Sequence, residues 1–186
     1  VDWLGRSGDT GRAVDLGCGP AEITARVALA LPEWTLDGID GGPNMLQWAA
    51  DHLERAGLSD RVRLYRHRLP DPTLAPSQYD LVFSSSLLHH LQRPSVLWEA
   101  VRHVGRVGAA VYVMDLRRPG TVEGAREIVE TYSGQEPEIL KVDFFNSLCA
   151  AYTVEEIEDQ LRGTGLSELE GLTPTDRHVV VRGRLP

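Results

Sequence analysis

Apolar positions along the chain switch repeatedly between two spacings. Residues 12–16 (RAVDL) form a short apolar run closed by Gly17, which predicts a buried strand. Ile23, Val27 and Leu31 then recur at every fourth residue, as on an amphipathic helix over 21–31 that Pro32 ends. Pro20 falls where the first helical residue is expected, a position that tolerates its missing N–H. A second strand is predicted over 34–39, ending in Asp40. The turn Gly41-Gly42-Pro43 leads to a helix over 44–56 with Met45, Leu46, Ala49 and Leu53 on one side and Gly57 as its stop. Residues 61–65 alternate and predict a third strand, and the proline-rich stretch 69–77 predicts a loop.

The pattern continues with a fourth strand over 79–84, a helix over 95–104 and a fifth strand over 109–115. Beyond Pro119 the alternation stops. Residues 122–151 read as one or two helices broken at Gly134-Gln135-Glu136-Pro137. Thr153 and Glu156 have capping-box spacing and open a further helix over 153–161. Two last strands are predicted over 166–172 and 178–181, joined at Thr173-Pro174-Thr175-Asp176. Strands that alternate with helices predict an α/β fold with a mostly parallel sheet covered on both faces. No repeat or low-complexity segment interrupts residues 1–186, so a single domain is expected. Trp48 and Trp98 are expected to pack from their helices against the sheet, and the acidic positions 155–159 to form a solvated helix face.

Composition narrows the function. At 186 residues, 42% apolar and 25% charged, the chain can build a full core. Its net charge of -8 argues against nucleic acid as a partner, since phosphate contacts need a basic excess. Cys18 and Cys149 are far apart and outside metal-site spacing, so neither a disulfide framework nor a metal is expected and reduced cytoplasmic thiols are. No apolar run has the length of a membrane span. The opening VDWLGRSGDTG lacks the basic head and apolar stretch of a signal peptide, and it lacks an initiator Met.

The chemistry concentrates where the first strand hands over to the first helix, at Gly17-Cys18-Gly19. In open α/β sheets ligands lie beyond the carboxyl ends of the strands, beside strand one. Glycines there let main chain turn sharply and approach a ligand. The alternative is a plain tight turn. Asp40 ends the next strand roughly 20 residues on, where a carboxylate accepts both hydroxyls of a ribose. Glu22 stands where a dinucleotide fingerprint needs a small residue, and no phosphate-loop lysine follows. The ligand expected therefore has a ribose but no pyrophosphate.

Three segments carry a resemblance. VDLGCGP (14–20), GIDGGPNML (38–46) and YDLVFSSSLLHHL (79–91) resemble, in order, the first, second and fourth-strand motifs of class I S-adenosylmethionine-dependent methyltransferases. The likeness runs over about residues 12–115, and the final strand pair matches the family's plan. It implies a Rossmann-like, doubly wound, mostly parallel seven-stranded sheet with an antiparallel last strand and a helical insert after strand five. It implies S-adenosyl-L-methionine as cofactor, with Asp15 holding the amino group, Gly17, Cys18 and Gly19 passing under the methionine part, and Asp40 with Gly41 at the ribose. Met45 is expected against the adenine, and Ser84 or Ser85 near the methionine end. Where the family often has an acidic residue for the adenine, this chain has His67, Arg68 and Leu69. Arg68 stacking on the ring, a backbone carbonyl, or a late Asp71 are the alternatives there.

Methyl transfer from a sulfonium is an in-line displacement that needs alignment and exclusion of water, and a base only if the nucleophile loses a proton. His89 and His90 follow the fourth strand and are the candidate bases; adjacent residues point differently, so at most one is expected to face the site. Asp115 either orients the acceptor or holds a cation or, as the more expected reading, pairs with Arg117 or Arg118. Segment 119–151 is expected to cover the acceptor. Tyr132, Asp143, Phe144, Phe145, Asn146 and Tyr152 are its possible lining, although aromatics at helical spacing are more often core. Cys18 is read as a small side chain that fits rather than a redox group. The function expected is methyl transfer to a small-molecule acceptor. A non-catalytic module binding S-adenosylmethionine or S-adenosylhomocysteine is the alternative. Glu22 disfavours a nicotinamide oxidoreductase, and charge disfavours an RNA acceptor more than a protein one. Only about a dozen residues precede strand one, where the family carries helices that close over the site. A segment ahead of Val1 would favour catalysis; its absence would favour the binding module.

Overall fold

A computed structural model describes residues 10–186; the opening stretch 1–9, which carries most of the segment read above as lacking a signal-peptide pattern, lies outside the described residues. Seven strands form one sheet in the order β3-β2-β1-β4-β5-β7-β6. They are β1 (Gly11–Leu16), β2 (Trp34–Asp40), β3 (Val62–Arg66), β4 (Tyr79–Ser85), β5 (Gly105–Leu116), β6 (Glu170–Leu172) and β7 (His178–Arg184). β1 to β5 are parallel, and β7 runs antiparallel to both β5 and β6. The helices are α1 (Glu22–Ala30), α2 (Pro43–Arg55), α3 (Ser95–Val104), α4 (Val122–Ser133), α5 (Glu138–Ala150) and α6 (Val154–Gly163).

Period-two alternation divides the strands between two cores. Ala13, Leu36, Leu81, Phe83 and Ala110 meet Ala25 and Ala28 of α1 and Ala49 and Leu53 of α2. Their neighbours Val14, Leu16, Val82, Val111 and Val113 meet Val101 and Val104 of α3 and Ile157 and Leu161 of α6. Helices therefore cover both faces, as in a doubly wound Rossmann-like fold. After β3 the chain returns to place β4 on the other side of β1. The crevice beyond the carboxyl ends of β1 and β4 is thus the switch point. No helix among the described residues is long and apolar enough to cross a membrane.

Several local expectations change in three dimensions. Pro20 is not the first helical residue: α1 begins at Glu22 and is preceded by Ala21 in the left-handed region, φ 63°. The run 166–172 is a strand only over its last three residues. Leu166 instead closes α6, its N–H reaching the Leu161 carbonyl at 2.9 Å past Gly165 at φ +72°. The apolar side chain that suggested a strand is the hydrophobic contact of a helix end. Leu58 does the same for α2, bonding to Leu53 past Gly57. Trp98 is fully buried and donates to Gln160 Oε1 at 2.9 Å, but Trp48 is 55% exposed and does not pack on the sheet. Thr153 and Glu156 form the reciprocal capping box at the start of α6.

Candidate cofactor cleft and adjoining histidine cluster

The glycine loop leaves β1 with Gly17 at φ +79° and Gly19 at φ +51°, conformations open to glycine at little cost. A side chain at Gly17 would meet Leu87 at 2.8 Å, whereas one at Gly19 would meet nothing within 4 Å and would project into open space. The loop is tied to β2 by the N–H groups of Gly17 and Cys18, both donating to the Ile39 carbonyl. It is also tied by Gly19 N–H, which donates to Asp40 Oδ2 at 3.0 Å. Gly42 N–H donates to the other oxygen, Oδ1, at 2.7 Å. Two backbone donors therefore aim the Asp40 carboxylate while leaving further lone pairs on each oxygen.

Asp15 sits one step inside the strand, 1% exposed. Its Oδ2 accepts a 2.6 Å hydrogen bond from Thr24 Oγ1 of α1, and its Oδ1 is buried without a partner. Burial pushes this carboxyl up to about 7; the Thr24 hydrogen bond opposes that shift and the nearby Asp40 adds to it. Cys18 packs its sulfur toward Gly38, 3.1 Å from where a Cβ there would lie. Burial, with Asp15 and Asp40 beside it, pushes its thiol pKa up, so the sulfur stays protonated and unreactive.

Two clefts meet at this loop. The first, about 380 Å³, is lined by Asp15, Gly17, Cys18, Gly19, Pro20, Glu22, Ile23, Asp40, Met45, Ser85, Ser86, Leu87 and His90. The second, about 250 Å³, is lined by Gly17, Ile39, Asp40, Gly41, Gly42, His67, Arg68, Leu69, Leu87 and Leu91. Gly17, Asp40 and Leu87 belong to both. Most of the residues singled out in the sequence therefore come together here. Met45, expected at the adenine, lines the first cleft rather than the one walled by His67 and Arg68.

Three expectations need correction. Ser84 faces away: it is 2% exposed and its hydroxyl donates to the Leu16 carbonyl at 2.6 Å, which leaves Ser85 and Ser86 on the cleft. Asp71 does not swing toward the second cleft. Thr73 N–H and hydroxyl and His67 Nδ1 hold it within its own loop, at 2.9, 2.6 and 2.7 Å, and these bonds lower its pKa to about 2. Asp115 pairs with neither Arg117 nor Arg118. Its Oδ1 lies 2.5 Å from His89 Nδ1 and its Oδ2 accepts Leu88 N–H at 2.7 Å. Arg118 binds Glu156 and the Ala151 carbonyl instead, and Arg117 the Asp176 carbonyl.

The two histidines thus part company on a 3-10 turn at Leu88–His90. His89 is buried against Asp115, while His90 lines the first cleft, the two ring centroids 4.0 Å apart. Sequence reasoning missed Ser86, Leu87, Pro20, Glu22 and Ile23 as lining. Ser86 lies just past the strand end at φ 57°, a strained position for a non-glycine residue of the kind found at functional sites. Its place third in a serine run was the available signal. In the segment after β5, Phe144 and Phe145 pack against Ala125, Val129 and Leu148 in a small core of their own. Tyr152 donates to the Leu91 carbonyl at 3.0 Å and Tyr132 to Asp176 Oδ2 at 2.9 Å. Asp143 and Asn146 are exposed on α5.

Comparison with known proteins agrees with this geometry. A family profile described as "Methyltransferase domain" matches residues 13–109. A ribosomal protein L11 methyltransferase of Erwinia tasmaniensis is 32% identical over 139 residues, 74% of this chain and 45% of that protein. A trans-aconitate 2-methyltransferase of Methylobacterium radiotolerans is 28% identical over 89% of this chain and 72% of its own length. This chain spans between a fifth and a half of the length of the first curated relatives it matches. Among solved structures, a SAM-dependent methyltransferase from Aquifex aeolicus superposes with a TM-score of 0.70 at 14% identity, covering 95% of this chain and 82% of that one.

Proposed function

The chain belongs to the class I S-adenosylmethionine-dependent methyltransferase family, and from that premise we propose that it binds S-adenosyl-L-methionine in the joined clefts and transfers the methyl group in line to a small-molecule acceptor. One observation carries the reading: two carboxylates of different character flank one glycine loop. Asp15 presents a buried oxygen with no donor, and Asp40 presents an oxygen pair already aimed by Gly19 and Gly42. A buried carboxylate oxygen without a partner is costly unless a ligand completes it, and an ammonium donor does so. A ribose diol suits the remaining lone pairs of Asp40. The residues present therefore fit this cofactor.

In this reading Gly17, Cys18, Gly19 and Ser85 flank its amino-acid part, Asp40 and Gly41 its ribose, and His67, Arg68 and Leu69 the base, with Met45 on the side of the first cleft. When bound, the cofactor supplies a methyl group on a sulfonium, an electrophile with a good leaving group. The chain's part is to hold the acceptor in line and keep water out. Residues 119–151 are proposed as the cover over the acceptor within a single domain spanning 1–186; α5 already lies against the turn that carries His90. The two free cysteines suit the reducing cytoplasmic setting we propose.

The acceptor class is tested with methyl-labelled cofactor and cell extract split into metabolite and macromolecular fractions. Label in small molecules is expected. Label in protein would replace the small-molecule reading with a protein acceptor. Binding of S-adenosylhomocysteine without label in either fraction would replace it with the non-catalytic module.

A further inference from the structure

Behind the cleft wall lies a buried acid–histidine pair. The side chains of His89 and Asp115 are 5% and 3% exposed, with Nδ1 and Oδ1 2.5 Å apart. Asp115 also accepts the N–H groups of Leu88 and Leu116, each at 2.7 Å. A carboxylate already accepting two fixed backbone donors takes the His89 Nδ1 as a third donor. The nitrogen facing the carboxylate is therefore the one that carries a proton, and the ring's orientation is fixed by that bond. That same ring lies against His90 at 4.0 Å between centroids, tilted by 40°. His90 in turn shares the first cleft with Asp15, Ser85 and Ser86.

Resting on the methyl-transfer reading, we propose that Asp115 and His89 are positioning residues that brace His90 at the cleft as the proton-accepting group, so that the acceptor is an O–H or N–H nucleophile. The acceptor's lone pair forms the new bond to the methyl carbon as the carbon–sulfur bond breaks and its electrons stay on sulfur. The acceptor's proton passes to a bare nitrogen of the His90 imidazole. The charges around His90 suit that role. Burial and then His89 hold its pKa below the usual histidine value, while Asp115 from β5 and Asp143 from α5 pull the other way. The ring is neutral at pH 7 yet has carboxylates nearby to stabilise the imidazolium once it forms.

Histidine-selective ¹⁵N NMR tests the arrangement without turnover. In the wild-type chain, His89 Nδ1 is expected to carry a proton hydrogen-bonded to Asp115. His90 is expected to titrate below 6.5 and to be the ring that shifts when S-adenosylhomocysteine is added. Asp115→Asn is expected to abolish the signature of the His89 Nδ1–H bond to the Asp115 carboxylate and alter the His90 response, with the Kd for S-adenosylhomocysteine changed less than about threefold; His89→Gln serves if Asp115→Asn does not fold. A protonated His90 at pH 7, or a ligand-induced shift confined to His89, overturns the proposal. Activity is then read with labelled cofactor against a phenol, a primary amine, a tertiary amine and a thioether. Label in the phenol or primary amine is expected, falling on the order of a hundredfold in kcat with His90→Gln. Label only in the tertiary amine or thioether, or in none, overturns the acceptor class while leaving the cofactor reading intact. Failure to bind S-adenosylhomocysteine would overturn both.

Discussion

Asp40 offers the sharpest quantitative test of the cofactor cleft. Its two oxygens each accept one backbone N–H, from Gly19 at 3.0 Å and Gly42 at 2.7 Å, so the carboxylate cannot rotate freely toward solvent. The lone pairs left over are preorganised for two hydroxyl donors. Hydrogen bonds to a charged acceptor contribute about 1.5–3 kcal/mol each, and part of the second is lost to non-additivity. Asp40→Ala is therefore expected to weaken S-adenosylhomocysteine binding by about 3 kcal/mol, roughly 150-fold in Kd. The same substitution strips Gly19 and Gly42 of their acceptor and can loosen the loop, which would also lower affinity. A second leg separates the two causes. Removing the ribose hydroxyls from the ligand, as in its 2′,3′-dideoxy analogue, should cost the wild type a similar amount and cost Asp40→Ala almost nothing further. Isothermal titration calorimetry on the four combinations gives the coupling energy, expected at about 2 kcal/mol or more. A coupling below about 0.5 kcal/mol would mean that the ribose does not meet Asp40, and the placement of the ligand would be wrong.

Other expectations follow from neighbouring residues. Asp15 has a pKa raised in the fold from 3.8 to about 7, so the native state holds a proton that the unfolded chain releases. Its contribution to stability is full below pH 4 and disappears as pH rises through 7, by up to about 4 kcal/mol. Urea titrations at pH 5 and 8 should show most of this loss in the unfolding free energy of the wild type and not in that of Asp15→Asn; the same change with pH in both proteins would refute the burial argument. Gly19→Ala should cost stability only about 1–2 kcal/mol for a left-handed alanine, yet weaken S-adenosylhomocysteine more than tenfold, because the new methyl enters the cleft. Unchanged affinity would place the ligand elsewhere. Ser84→Ala should lower the unfolding free energy by about 1 kcal/mol, through loss of the bond to Leu16, and leave cofactor affinity as it was. A tenfold change in Kd there would restore Ser84 to the site.

Much of the sheet and half of the site were already present in local pattern. Period-two and period-four spacing located the five parallel strands and the helices between them, because those repeats follow from backbone geometry alone. Gly17, Gly19 and Asp40 could be read the same way, as a strand end that needs bare main chain and a carboxylate one strand over. What the pattern could not decide was which partner each polar side chain takes. Ser84 and Leu16 are 68 residues apart in sequence, and Asp115 and His89 are 26 apart. Only packing of β4 between β1 and β5 turns the Ser84 hydroxyl inward and places the Asp115 carboxylate under the 3-10 turn rather than beside Arg117. The same holds for Leu166, whose apolar side chain serves a strand or a helix end equally well until Gly165 takes its left-handed turn. Apolar spacing along one chain determined the layers; packing between elements adjacent in space but distant in sequence determined which carboxylate oxygen was left without a partner and which histidine reached the cleft.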